Sequence, residues 1–279
     1  MDSLVTTEWL AAELDAPDLR IVDATYVDPS TGRDAAAEYE ASHIPGAVFL
    51  NLAELRDTDD PLPNMVPSPA KFASRMAALG LGDGCRIVLY DASPWRTAAR
   101  AWWLFRHFGT PDIAILDGGL AKWKAEGRPL AAAPEQPRPR HFTIRDIAAD
   151  VRTLDAMRAN IDTAAEQVID ARSAARFTGA EADPRPGIAA GHIPGSHNLP
   201  YTQLFGPDGT WKQGDALLDA FVATGIDFDR PVAATCGSGV TAAVLLFGLH
   251  LLGREGALYD GSWSEWGAHP DTPKATGAD

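Results

Sequence analysis

Cysteine is scarce in this chain: 279 residues hold only two, Cys85 and Cys236. So sparse a pair does not build the disulfide framework of a small secreted domain. It points to a reducing compartment, read here as the cytoplasm, and to a thiol left free for chemistry. No Cys or His spacing matches a zinc site, so neither a metal nor another cofactor is expected. Long apolar runs are missing too; none approaches the roughly 18–20 residues that span a bilayer. The opening Met1-Asp2-Ser3-Leu4 has neither a basic nor an apolar leader region, so no signal peptide and no membrane association are expected. Positive charge is in deficit, with 24 Lys and Arg against 38 Asp and Glu and a net charge of −14. That balance argues against nucleic acid as a partner. An anionic ligand has to be drawn in by a local basic cluster, because the overall field repels it.

What the chain does have is repetition. Arg20-Ile21-Val22-Asp23-Ala24-Thr25 echoes Gln167-Val168-Ile169-Asp170-Ala171-Arg172. His43-Ile44-Pro45-Gly46 returns as His192-Ile193-Pro194-Gly195, and Leu116-Asp117-Gly118-Gly119-Leu120-Ala121-Lys122-Trp123 as Tyr259-Asp260-Gly261-Ser262-Trp263-Ser264-Glu265-Trp266. A repeat this long is a duplicated globular domain and not a solenoid unit. Short β-branched runs predict strands at 21–24, 86–90 and 113–116, then 168–171, 232–235 and 257–259. Helical patterns alternate with them at 7–14, 69–79 and 97–108, then 154–161, 215–224 and 241–252. The fold class is therefore α/β: two tandem domains, each a mainly parallel sheet flanked by helices. The expected boundaries are a non-catalytic domain at 1–130, a proline-rich linker at 131–142 and a catalytic domain at 143–279, with 267–279 as a frayed tail.

The most informative stretch is Cys236-Gly237-Ser238-Gly239-Val240-Thr241, between a predicted strand and a predicted helix. Backbone N–H groups in a glycine-loosened turn of this kind can converge on one anion, and the helix dipole adds partial positive charge. Such surroundings favour the thiolate and make Cys236 a candidate nucleophile; the plainer alternative is a buried structural cysteine. The first-half counterpart of Thr235-Cys236-Gly237 is Tyr90-Asp91-Ala92, and its loop carries Pro94 and Trp95 in place of glycines. Only the second half has a catalytic pattern. His43 and His192, like Trp123 and Trp266, recur in both halves and are read as structural, and Asp23 and Asp170 as loop-fixing. A cysteine phosphatase would need Cys-x5-Arg, and Ala242 occupies that position.

The duplicated α/β domain, the two His-Ile-Pro-Gly turns, the Asp-Gly-Gly/Ser-x-x-x-Trp motifs and the single Cys loop together resemble the two-domain rhodanese-type sulfurtransferases. The resemblance covers nearly the whole chain. Thiosulfate-preferring members typically carry Cys-Arg-Lys-Gly-Val-Thr, whereas the loop here is similar to that of the 3-mercaptopyruvate sulfurtransferases. It implies a persulfide on Cys236, with the outer sulfur cradled by Gly237, Gly239, Val240 and Thr241. It also implies that Arg176 and Arg185 hold the keto-acid; their planar guanidinium forks suit a carboxylate and an adjacent carbonyl. Ser238 matches the serine of a Ser-His-Asp relay described for such enzymes, but Asn64 and Asn51 stand at the other two positions. Neither accepts a proton near neutral pH. A full relay is not expected; proton transfer through Ser238 and water, a higher pH optimum or a different donor remain open.

The implied partners are a small anionic sulfur donor and a thioredoxin-like or small-thiol acceptor, or cyanide. Two rival readings stand beside this one. A thiosulfate:cyanide sulfurtransferase is disfavoured because Gly237 and Ser238 supply no cation. A persulfide carrier or regulatory module would load sulfur once and turn over little.

Overall fold

The computed structural model describes residues 1–135, 137–145 and 147–277. Position 136 of the expected linker, position 146 just beyond it and the last two residues of the expected tail lie outside the described residues. The chain divides into two compact units. The first comprises Met1–Thr58, Val66–Ala148 and Pro207–Trp211; the second comprises Asp59–Met65, Ala149–Gly206 and Lys212–Asp279.

In the first unit β1 (Leu4–Val5), β2 (Leu19–Asp23), β3 (Ala47–Phe49), β4 (Arg86–Tyr90) and β5 (Ile113–Leu116) form one parallel sheet in the order β1-β5-β4-β2-β3. In the second, β6 (Val151–Arg152), β7 (Gln167–Asp170), β8 (His197–Asn198), β9 (Val232–Thr235) and β10 (Ala257–Tyr259) repeat it as β6-β10-β9-β7-β8. The inner strands β5, β7 and β9 are buried at every residue, as a parallel sheet covered on both faces requires.

The helices are α1 (Thr7–Glu13), α2 (Ala35–Ala41), α3 (Pro69–Ala78), α4 (Ala98–His107) and α5 (Gly119–Ala125), then α6 (Leu154–Thr163), α7 (Ala174–Thr178), α8 (Gly214–Val222), α9 (Ala242–Leu251) and α10 (Ser262–Trp266). Side-chain oxygens of Thr6, Ser68 and Thr153 cap α1, α3 and α6, which is why those helices start where they do. The almost wholly apolar α9 is buried from Ala242 to Leu249. Each predicted strand and helix is present, with ends shifted by a residue or two. The sequence pattern missed the edge strands and the short helices α2, α5, α7 and α10, which contain too few periods to register.

The repeated motifs are structural joints. Pro45-Gly46 and Pro194-Gly195 form tight turns, closed by Ala47 N–H on Ile44 C=O at 3.0 Å and by Ser196 N–H on Ile193 C=O at 3.1 Å. Gly46 and Gly195 take φ of +76° and +75°, which a side chain resists. His43 and His192 are fully buried, stack on Tyr39 and Phe177, and bond through Nδ1 to the carbonyls of those residues. Trp123 and Trp266 are buried with Nε1 donating to Pro129 and Pro273 C=O.

Two segments are better anchored than their composition predicts. Phe142, in the proline-rich stretch, packs edge-on to Phe72 and Phe105, and Ala148 N–H bonds His107 C=O, so the first unit extends to Ala148. The tail predicted to fray is pinned. Thr272 is buried, Ala275 bridges to His192, and Gly277 N–H donates to Thr178 C=O at 2.9 Å. Among the described residues, no helix is long and apolar enough to cross a membrane.

Candidate active site

The site is assembled at the C-terminal end of β9, where parallel sheets of this kind present their loops. Cys236 follows the last strand residue and is buried, at 1% exposure. The start of α10 grips its two neighbouring peptides. Trp263 N–H donates to Cys236 C=O at 3.0 Å, and Ser264 N–H to Gly237 C=O at 2.9 Å. Cys236 N–H in turn donates to Ser262 Oγ at 3.2 Å. The helix itself is fixed by the Arg172 guanidinium, 4.5 Å over the Trp263 ring, and by Trp263 Nε1 on Ala189 C=O. Arg172 is held by Asp170 through a buried ion pair, the loop-fixing role expected of that aspartate.

Beyond Cys236 the chain turns through Gly239, at φ +77°, into α9. The N–H groups of Gly237, Ser238, Val240 and Thr241 take no hydrogen-bond partner among the described residues, and the Thr241 side chain does not cap the helix. Free amides at a helix start make a concave site for an anion.

Both sequence-predicted arginines reach this loop. A Cβ placed on Gly237 would lie 3.5 and 3.7 Å from the terminal nitrogens of Arg176 and 3.7 Å from Nη2 of Arg185. Arg185 Nη1 also donates to Gly237 C=O at 3.1 Å and contacts Ser264 Oγ. Two cations this close repel each other unless an anion stands between them. Asp183 is that anion. Its side chain is 1% exposed and accepts Arg176 Nη2 at 2.5 Å, Arg185 Nε at 2.8 Å and Arg185 Nη2 at 2.9 Å. Burial pushes the Asp183 carboxyl up, but the hydrogen bonds from Arg185 and Arg176 outweigh it and hold the group down at about 2. It is therefore ionised throughout the physiological range. Arg176 Nε is buried without a hydrogen-bond partner among the described residues, a donor still to be satisfied.

Ser238 lies on the same loop, and Asn64 Nδ2 donates to its Oγ at 3.1 Å. Asn64 comes from the Asp59–Met65 segment that packs into the second unit, and it takes left-handed backbone at φ +59°. Asn51 belongs to the first unit, where its side chain accepts Ala53 N–H and its carbonyl accepts Leu55 N–H, closing a turn. Cys85 is a buried free thiol of the first unit, just before β4.

Sequence reading missed Asp183, Ser262 and Ser264. The signal for the first was its place two residues before Arg185 in an Asp-Pro-Arg turn. The signal for the serines was the repeat itself, which has Gly119 and Ala121 at their positions.

A family model described as "Rhodanese-like domain" matches residues 6–126 and 153–269. The chain is 42% identical over 272 residues to the 3-mercaptopyruvate sulfurtransferase of Escherichia coli (strain K12), covering 96% of each. It is 38% identical over 271 residues to the 3-mercaptopyruvate sulfurtransferase of Homo sapiens, covering 95% of this chain and 91% of the relative. Among solved structures it is similar to SseA from Escherichia coli, described as showing the rhodanese fold of 3-mercaptopyruvate sulfotransferases. That match has a TM-score of 0.86 and 37% identity over 95% of this chain and all of that one. Tum1 from Saccharomyces cerevisiae matches with a TM-score of 0.90 and 26% identity over 99% of both chains.

Proposed function

The chain belongs to the rhodanese-like domain family, and we propose that it moves sulfane sulfur from 3-mercaptopyruvate through a Cys236 persulfide to a thiol acceptor or cyanide, releasing pyruvate. The observation that carries this reading is the Arg176–Asp183–Arg185 cluster set against Gly237, beside the buried cysteine. Two guanidiniums sharing one carboxylate leave one net positive charge, matched to a small monocarboxylate inside an otherwise acidic protein.

In the first half-reaction the Cys236 thiolate attacks the donor sulfur. The carbon–sulfur bond breaks, its electron pair leaves on the methylene carbon, and delocalisation into the ketone gives the enolate of pyruvate, which then takes up a proton. Arg176 and Arg185 bind the carboxylate and carbonyl and stabilise the charge as it develops. The outer persulfide sulfur sits in the amide cradle of Gly237 to Thr241. In the second half-reaction an acceptor thiolate attacks that sulfur, the sulfur–sulfur bond breaks, and Cys236 returns as thiolate. Asn64 neither gives nor takes a proton in this scheme; it orients Ser238, and water supplies the proton. We also place the protein in a reducing, cytoplasmic setting, a reading supported by its two free cysteines; fractionation of the source cells tests this.

The deciding measurement is steady-state pyruvate release from 3-mercaptopyruvate, run beside thiosulfate-to-cyanide transfer, for wild type and Cys236→Ser. Pyruvate release is expected to dominate and to fall at least about 1000-fold in the variant. Dominant thiosulfate activity would instead favour the second reading, which has support in a 36%-identical relative named thiosulfate sulfurtransferase. A single sulfur loaded on Cys236 without turnover would make the protein a carrier.

A further inference from the structure

The two units differ at the turn into their last helix. Gly119 opens α5 at φ +56°, and a Cβ there would lie 2.7 Å from the carbonyl oxygen of Asp91. Glycine is the residue that fits. The matching residue of the second unit is Ser262, which holds φ +49°. A side chain kept in left-handed backbone, where the sister unit uses glycine, is a local conflict with a local purpose. The hydroxyl, fully buried, accepts the N–H of Cys236 at 3.2 Å and donates to Tyr259 C=O at 2.9 Å. Two residues on, Ser264 replaces the Ala121 of the first unit. Its Oγ donates to Gly237 C=O at 2.7 Å and accepts from Arg185.

We propose that Ser262 and Ser264 are positioning residues, Ser262 for the nucleophile and Ser264 for the donor's anchor. This rests on Cys236 being the nucleophile of the transfer described above. By taking the Cys236 N–H, Ser262 stops rotation of the peptide before Cys236 and so fixes the bond that carries the sulfur. By joining Gly237 C=O to Arg185, Ser264 gives the attacking residue and the carboxylate-binding arginine one rigid support. Neither serine exchanges a proton with substrate.

Ser262→Gly removes the hydroxyl and relieves the left-handed backbone strain, whereas Ser262→Ala removes the hydroxyl alone, so the pair separates the hydroxyl from the strain, and urea midpoints of both report their stability. Alkylation by iodoacetamide, mapped to Cys236 by peptide mass, needs no sulfur donor and reads the nucleophile directly. Both variants, assayed well below their urea midpoints, are expected to react about fivefold more slowly than wild type despite their different backbone strain. For Ser264→Ala the KM for 3-mercaptopyruvate is expected to rise about fivefold with kcat within about twofold, and Ser264→Thr to restore it. Wild-type alkylation rates in both Ser262 variants would overturn the role of Ser262, and an unchanged KM in Ser264→Ala that of Ser264. Slowed alkylation in an enzyme that does not turn over 3-mercaptopyruvate at all would support the Ser262 role and place the error in the donor assignment.

Discussion

The same strand-to-helix turn is filled in one unit and left open in the other. After β4, Asp91 folds its own carboxylate into the turn: Oδ1 accepts Ser93 N–H at 2.8 Å and Oδ2 accepts Ala98 N–H at the start of α4 at 2.9 Å. After β9, Cys236 takes the equivalent position, and the N–H groups of Gly237, Ser238, Val240 and Thr241 take no such internal anion among the described residues. The basic side chains differ in parallel. Arg33 reaches Ala92 C=O at 3.3 Å, as Arg185 reaches Gly237 C=O at 3.1 Å. Its partner Glu38, however, is 41% exposed, whereas Asp183 is 1% exposed and holds two arginines. The geometry of the turn makes an anion site in either unit. The first unit fills that turn with its own carboxylate, which leaves the second unit's turn as the candidate site for an external anion.

With Cys236 itself left in place, the largest expected effect comes from removing the buried carboxylate that sets the second unit apart. Asp183→Asn leaves Arg176 and Arg185 side by side without their shared counter-ion. Its kcat/KM for 3-mercaptopyruvate should fall about 100-fold, mostly through KM, in steady-state assays. A variant with unchanged KM would show that the buried carboxylate is not what makes the site.

Asp91→Asn probes the filled turn. Burial raises the Asp91 carboxyl from 3.8 to about 6 despite the amide hydrogen bonds from Ala98 and Ser93 that pull it down. Between those values the folded protein holds a proton that the unfolded chain has lost. Wild type therefore loses stability as pH rises from about 4 to 6, on the order of 3 kcal/mol from this group. Asparagine does not titrate, so urea midpoints of the two proteins should converge or cross over that interval; parallel curves would mean Asp91 is ionised in the fold. The smallest effect is expected from Asn64→Ala, which frees Ser238 Oγ from its donor. A decrease of about threefold in kcat with no change in the shape of the pH profile would mark Asn64 as an orienting group.

Much of this was readable from residue order. The duplication aligned the motifs, apolar runs located the central strands, and Cys236 was conspicuous in its glycine-rich turn between a strand and a helix. Arg176 and Arg185 came from resemblance, and the structure brings both to Gly237. The anchored tail was not legible, because Pro, Gly and Ala carry no periodicity and Ala275 is fixed by backbone bonds to His192. The packing of residues 59–65 into the second unit was equally hidden, since the segment lies in the first half of the sequence and has no motif of its own.

Sequence alone determined the class of fold, the chemical difference between the two strand-to-helix turns and the choice of Cys236 as the candidate nucleophile. These depend on local chemistry: alternation of apolar residues, glycine where the backbone must turn, a thiol beside free amides. Tertiary structure decided which charges meet. Asp183 binds Arg176 seven residues before it and Arg185 two residues after it, and α10 closes over Cys236 from 26 residues further along the chain. Such contacts are fixed by packing several elements around one point. Their energies come from burial and mutual distance, and neither is a property of a residue's place in the sequence.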